Sequence, residues 1–357
     1  MTLPRRAWLQ GALALSACGG ATRAPALPRA VDVPPDLSEL LALAASAPSR
    51  HNEQPWRVTL LGTGSLVVRA KPSLRLAVDR HGVAAPLALG AFVQHLRVAA
   101  ARAGRAVDVE VDDGVARVTL RPAAPVPFDA RLFATRATSR DEYADVELGS
   151  AEVAPLLAAS DSLHFVPRAS PEGTRLVEAT LEGARAQLGR REARAELARW
   201  VHLDDEDAER LGDGYTLASL GVTGSSAFAV RTFLGAAAFE DQRFTSRALA
   251  RTSRHLARFS GFLVVTAPAR TFPALLAAGE ALGQAALALH GAGLAMHPMV
   301  QAVEEGDHAR VAADAGLGGM AVMVARLGRP TAPVVRRTFR RPPAAFVELP
   351  EEDGGGS

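Results

Sequence analysis

The chain has 357 residues, 48% of them hydrophobic, and a formal charge of +2, which is enough for one large or two ordinary domains around a sizeable core. Lys71 is its one lysine, and removing the first 17 residues, which hold Arg5 and Arg6 and no acid, takes the formal charge to zero; that balance excludes the one-sided basic footprint of a nucleic-acid binder. Cys18 is the one cysteine, so an intramolecular disulfide and a cysteine-built metal site are excluded as well.

Pro4-Arg5-Arg6-Ala7-Trp8-Leu9-Gln10 resembles a twin-arginine export signal. The apolar run from Trp8 to Ala17 is too short to cross a bilayer as a helix but fits a signal's hydrophobic region. Leu15-Ser16-Ala17-Cys18 resembles a lipobox, with Cys18 as the residue that would carry lipid and become the new N-terminus. The expectation is a signal over 1–18, a tether rich in Gly, Ala and Pro over 19–35, and a periplasmic or cell-envelope lipoprotein that meets the membrane through Cys18 alone.

Past the tether, Asp36 with Glu39 three residues later predicts a capped helix start, and Leu37, Leu40, Leu41 and Ala44 give the helix an apolar face. Pro48 and Pro55 make the stretch from Ala45 to Arg57 a loop. Trp56–Leu61 and Leu66–Ala70 flank a Gly-rich turn and predict a hairpin, as do Val107–Val111 and Val115–Leu120 around Asp112-Asp113-Gly114. Between them, Ala85 to Ala103 has helical periodicity. Pro-rich Arg121 to Pro127 marks a seam between a first half, 36–125, and a second, 126–345.

In the second half Ser162–Val166 predicts a short strand and Gly173 to Val201 one long, partly solvated helix. Asp204 to Glu209 starts an acidic loop or helix, and Leu217 to Phe228, rich in Gly and Ser, is a candidate lid. Gly261–Thr266 and Gly319–Ala325 predict buried strands. Phe272 to His290 predicts an Ala/Leu-rich helix whose Gly279 and Gly283 let another helix approach closely. Arg326 to Arg341 reads as a basic tail and 346–357 as disordered. Together these elements define an α+β fold.

Three stretches carry chemistry. The loop Ala-Pro48-Ser49-Arg50-His51-Asn52-Glu-Gln54-Pro-Trp is dense in hydroxyl, amide and guanidinium groups; by pattern alone it is as much a capped turn as a binding loop. Arg136-Ala137-Thr138-Ser139-Arg140 puts two guanidiniums four apart around a hydroxyl, a grip for phosphate or a merely exposed pair. Gly291 to Pro298, with Gly293 and Leu294, is on its own a helix C-cap, with His297 a local hydrogen-bonding residue.

Taken together, these motifs resemble the nitroreductase superfamily, and most closely its Acg-type FMN-binding branch, in which two nitroreductase-like halves are fused in one chain. The resemblance spans most of 36–345 and is loose over roughly 145–260. It implies a mixed, largely antiparallel sheet flanked by helices in each half, and a self-contained, monomeric pseudo-dimer. It also implies that Pro48, Ser49, Arg50, His51, Asn52 and Gln54 meet Arg136, Thr138 and Arg140 around one FMN, with Gly293 and Leu294 near the ring and Arg336 and Arg337 near the phosphate. The family's usual Arg-Arg-Thr-Asn-Arg differs here at Ala137 and Ser139. The implied activity is hydride transfer from NAD(P)H through FMN to a nitro or quinone-like aromatic acceptor, with the flavin and no protein nucleophile carrying the reaction. Two other expectations stand beside it: a flavin-sequestering protein with a lidded, silent site, and a periplasmic binding lipoprotein without flavin.

Overall fold

The computed structural model describes residues 33–350 apart from 63, 73–75, 113 and 240, so the expected signal, Cys18, most of the tether and 351–357 lie outside the described residues. Pro35 opens the first helix, α1 (Pro35–Ala44), at a position where a missing N–H costs nothing, and Leu37, Leu40, Leu41 and Ala44 turn inward. Asp36 is therefore not the cap that its spacing to Glu39 suggests, because proline starts the helix a residue earlier. The two acids face arginines instead, Asp36 at 2.7 Å from Arg105 and Glu39 at 3.6 Å from Arg102. The two expected hairpins are present: β1 (Trp56–Gly62) with β2 (Ser65–Ala70), then, after α2 (Ala84–Arg102), β3 (Arg105–Asp112) with β4 (Val115–Pro122).

The second half begins with α3 (Arg131–Thr135), α4 (Ser150–Leu157) and β5 (Leu163–Pro167). The single long helix expected next is two, α5 (Pro171–Gly189) and α6 (Arg191–Arg199), because Arg190 is extended at φ −81°, ψ 124°. Val201 then leaves the helix for β6 (Val201–His202). Asp204 caps α7 (Asp205–Leu211), its carboxylate accepting from the Glu206 N–H. Next come β7 (Tyr215–Thr216), α8 (Gly224–Ala229), α9 (Gln242–Ala257), β8 (Gly261–Ala267) and α10 (Phe272–Gly291). The chain closes with β9 (Ala295–Pro298), α11 (Gln301–Glu305), α12 (His308–Asp314), β10 (Met320–Gly328) and β11 (Val347–Glu348).

Two sequence expectations change here. Arg326 is no tail residue: it lies in β10 with its side chain fully buried. The supposed disorder from 346 begins with a buried Phe346 and Val347, since β11 pairs in parallel with β1, Val58 opposite Val347.

One sheet has the order β11-β1-β2-β4-β3, the other β5-β8-β10-β9, and β6 pairs with β7. α2 packs on the first sheet, α10 on the second, and the two helices pack on one another. The fold is α+β, with sheets flanked by helices. Both helices are apolar enough to cross a membrane by composition, but here 61% of each apolar stretch is buried inside the protein.

Glycine sets the crossing of α2 and α10. A Cβ on Gly90 would overlap the Leu276 carbonyl oxygen, one on Gly279 the Leu87 carbonyl oxygen, and one on Gly283 would stand 3.0 Å from the Ala91 Cα. The helix spacing expected from Gly279 and Gly283 is present, and Gly90 is its counterpart. Because the obstacles are backbone atoms, no rotamer change relieves them. Gly90→Ala should therefore lower stability by about 2 kcal/mol or more, measured as a shift of the urea midpoint; an unchanged midpoint would show that the helices can part freely.

Candidate functional site

The loop after α1 makes one 3-10 turn, Arg50–Asn52, and holds His51, Asn52 and Gln54 at φ 51°, 56° and 50°. Left-handed backbone costs a non-glycine residue about 1 kcal/mol or more, so it persists only where surrounding contacts impose it. All three side chains are tied down. Asn52 Nδ2 donates to the carbonyls of Gly214 at 3.2 Å and Phe339 at 3.0 Å. Gln54 Nε2 donates to the Gly212 carbonyl at 2.6 Å, and its Oε1 accepts from the Arg341 N–H at 2.9 Å.

His51 Nε2 lies 2.9 Å from Glu196 Oε1. Burial and the neighbouring Arg50 push the His51 imidazole down to about 4. Burial works against the Glu196 carboxylate, but the hydrogen bond from His51 and the Ala77 N–H outweigh it and hold the group below its ordinary value. The pair is thus a neutral imidazole donating from Nε2 to a carboxylate, which leaves Nδ1 as a buried lone pair with no partner among the described residues.

Three arginines from two distant parts of the chain converge behind this loop. Arg136, just past α3, donates to the Ser46 carbonyl at 2.7 Å. Arg336 donates to the carbonyls of Phe133 and Arg136. Arg340 donates to Asn52 Oδ1 at 2.5 Å and to the Phe339 carbonyl at 3.1 Å. All of these acceptors are neutral oxygens, and Nε of Arg136 and of Arg340 is buried without a partner. Burial, with Arg336 alongside, pushes Arg136 down to about 9; burial, with Arg136 and Arg336, holds Arg340 well below the ordinary arginine value. Burial and the same arginines keep His95 neutral, its Nδ1 2.9 Å from Ser46 Oγ.

The loop, Arg136 and Arg340 open onto one cleft, with about 1370 Å³ of empty space counted out to solvent. Val83 at the N-cap of α2, Leu87 and Ala88 of α2, Leu282 of α10 and Val322 and Met323 of β10 give it an apolar wall. Another part of its lining is acidic and imidazole-rich. Glu304 Oε2 accepts from Arg50 Nη2 at 2.8 Å and Gln187 Nε2 at 2.7 Å, and burial pushes its carboxyl up to about 7. His308, held neutral first by burial, shares a 2.7 Å hydrogen bond between Nδ1 and the Ala321 carbonyl, which makes Nδ1 the donor and leaves the buried Nε2 an unpartnered acceptor. Arg140 lies over the Tyr215 ring at 4.8 Å and donates to the Ser219 carbonyl at 3.3 Å.

Of the residues singled out in the sequence, Pro48, Ser49, Arg50, His51 and Asn52 line the cleft together with Arg136, Thr138, Arg140 and Arg337. Gln54, Gly293, Leu294 and Arg336 do not. Gln54 braces the loop from behind, Leu294 is a buried core residue that begins the turn into β9, and Arg336 supports the Arg136 backbone. His297 is a local partner as expected, its Nδ1 accepting from Arg326 Nε at 3.1 Å. Sequence reasoning missed Arg340, Glu304, His308 and Tyr215. Arg340 belongs to the same basic run as Arg336 and Arg337, so it had a signal; the other three stand in ordinary helical or strand context and had none.

No protein-family model matches the chain. Over 74 residues it is 38% identical to a protein carrying the name NAD(P)H nitroreductase acg from each of two Mycobacterium tuberculosis strains, CDC 1551 and H37Rv. That segment is 21% of this chain and spans 22% of the length of those relatives. Among solved structures, the chain is similar to an FMN and NADPH-dependent nitroreductase, NfnB, from a Sphigopyxis strain, at 17% identity and a TM-score of 0.38, covering 59% of this chain and 93% of that one.

The Glu304 carboxyl is neutral in the fold up to about pH 7 and ionises near 4.5 when unfolded, so its contribution is full below 4.5 and lost as pH rises to 7. Glu304→Gln should gain on the parent protein by up to about 1.4 kcal/mol per pH unit across that window. Urea midpoints of the two proteins at its ends measure this, and a difference that does not change with pH would contradict it.

Proposed function

We propose that the cleft holds FMN and that the chain is an oxidoreductase of the nitroreductase type, passing hydride from NAD(P)H through the flavin to a nitro or quinone-like aromatic acceptor. One observation carries this: the buried Arg136 and the half-buried Arg336 and Arg340 have no carboxylate among their hydrogen-bond partners in the described residues, and two of the three keep an orphaned, buried Nε. Such a set fits a phosphate, which brings the missing charge and accepts several guanidinium hydrogen bonds at once. Thr138 and Thr338 add hydroxyls to the lining, and the wall from α2, α10 and β10 offers a flat aromatic ring an apolar face. Bound FMN would supply the hydride-accepting centre. The chain would anchor the phosphate, cover the ring and present the acceptor groups of His51 and His308 to ligand N–H or O–H donors. The short likeness to the mycobacterial proteins supports the same reading.

The two sheets, each with its own helix, support the fused-halves architecture with boundaries near 36–125 and 126–345. In this reading the protein is a monomeric pseudo-dimer, exported and held to the envelope by lipid at Cys18. Palmitate labelling that is lost in Cys18→Ser tests the anchor.

A second reading, flavin sequestration, rests on the stretch from Tyr215 to Leu220, which runs into the candidate lid, Leu217 to Phe228. Tyr215 meets the His51 ring edge-on at 5.7 Å, Leu217 is fully buried, and the Ser219 carbonyl accepts from Arg140. That side of the cleft is roofed by anchored residues.

The test is the visible absorption spectrum of the protein after FMN is added, before and after NADPH under nitrogen. A flavin band that bleaches is expected; a band that persists favours sequestration, and no bound flavin overturns both. Arg136→Ala should weaken FMN binding at least about tenfold, measured by fluorescence titration, and unchanged affinity would remove the phosphate assignment.

A further inference from the structure

We propose that the exposed face of α9 is a docking surface for an anionic phospholipid bilayer. The proposal is independent of the flavin. From Gln242 to Arg258 the sequence carries five arginines and no carboxylate, in a chain whose overall charge is close to zero. Arg243, Arg247 and Arg254 recur at spacings of four and seven, which places them on one helical face, and Arg258 follows at the C-cap. All four are exposed, as are Ala250 and Ala257 between them. The fifth, Arg251, is different: it turns inward and donates to the Leu220 carbonyl, fixing the helix to the rest of the fold.

The stripe ends at a second cleft, lined by Glu142, Tyr143, Arg254, His255, Ala257, Arg258 and Arg326. Arg326 is fully buried over the Tyr143 ring at 4.0 Å and donates to the Asp141 carbonyl at 2.7 Å. Glu142 is the one acid lining this cleft. His255 registers the local field: burial, then Arg326, Arg251, Arg254 and Arg140, push its imidazole down to about 3.

From Arg243 to Arg254 the stripe is straight and about 17 Å long. Short exposed side chains, Ser246, Ala250, Ser253 and Ala257, separate its charges, so a plane of headgroups can approach the helix closely. No aromatic side chain interrupts the stripe to stack on bases, as single-stranded nucleic-acid surfaces require. Clustered arginines on an amphipathic helix are matched by anionic headgroups, and the cleft gives one phosphate a place between Arg254 and Arg258.

The experiment is co-flotation of the full chain, carrying Cys18→Ser so that no acyl chain contributes, with vesicles of equal parts phosphatidylglycerol and phosphatidylcholine against phosphatidylcholine alone. The protein should float with the anionic vesicles only and lose them at high salt. Replacing Arg243, Arg247, Arg254 and Arg258 together by Gln should weaken binding on the order of a hundredfold, while replacing the same four by Lys should retain it and so separate charge from misfolding. No binding of the parent to anionic vesicles at low salt, equal binding to both vesicle types, or undiminished binding of the Gln variant would each overturn the proposal. Tighter binding to duplex DNA than to the anionic vesicles would overturn it too, assigning the stripe to nucleic acid.

Discussion

Buried positive charge without a carboxylate is the constraint around which this structure is arranged. Removing a guanidinium from water costs several kcal/mol unless its charge is matched. Here the buried Arg136 and the half-buried Arg336 and Arg340 are offered only carbonyl, amide and hydroxyl oxygens among the described residues. Those dipoles place the guanidiniums without neutralising them, and the orphaned Nε atoms of Arg136 and Arg340 show that the hydrogen-bonding capacity is not used up. An anion in the cleft would correct both deficits. The strained loop at His51, Asn52 and Gln54 belongs to the same arrangement, since Asn52 Oδ1 is one of the oxygens that hold Arg340.

The scaffold explains how three remote segments reach one place. The glycine crossing of α2 and α10 brings the helix of one sheet against the helix of the other and leaves the first turns of α2 and the middle of α10 on the apolar wall of the cleft. The C-terminal segment then returns from β10 to the far sheet, where β11 pairs with β1 and Phe346 packs on Phe92. That return draws 336–341 across the polar loop, and Arg341 stitches it down through the Glu53 carbonyl at 2.7 Å and the Asp213 carboxylate. A two-residue strand at the end of the chain thus holds part of the cleft in place.

Much of this was legible in the sequence where the signal was local. Both hairpins announce themselves through their turn residues, α2 and α10 through length and composition, and the close helix contact through Gly279 and Gly283. The polar loop and Arg136–Arg140 were legible as chemistry, and the structure brings them to one cleft. Long-range partners were not legible. Arg326 in β10 reads as the start of a basic tail because only the fold supplies Tyr143 and the Asp141 carbonyl as partners. Glu304 becomes notable only when burial raises it beside Arg50, 254 residues away in sequence. The break between α5 and α6 had one local signal, Gly189 at the end of α5, but the Glu- and Arg-studded periodicity runs on past it and hides the extended Arg190.

The most direct measurement of the central claim is calorimetric titration of the protein with FMN and with riboflavin, which shares the ring and ribityl chain but lacks the phosphate. If the buried arginines are a phosphate anchor, FMN binds on the order of a hundredfold tighter, as two or more charge-assisted hydrogen bonds require. Equal affinity for the two ligands would mean that the arginine cluster serves something other than the flavin phosphate, and would contradict the account.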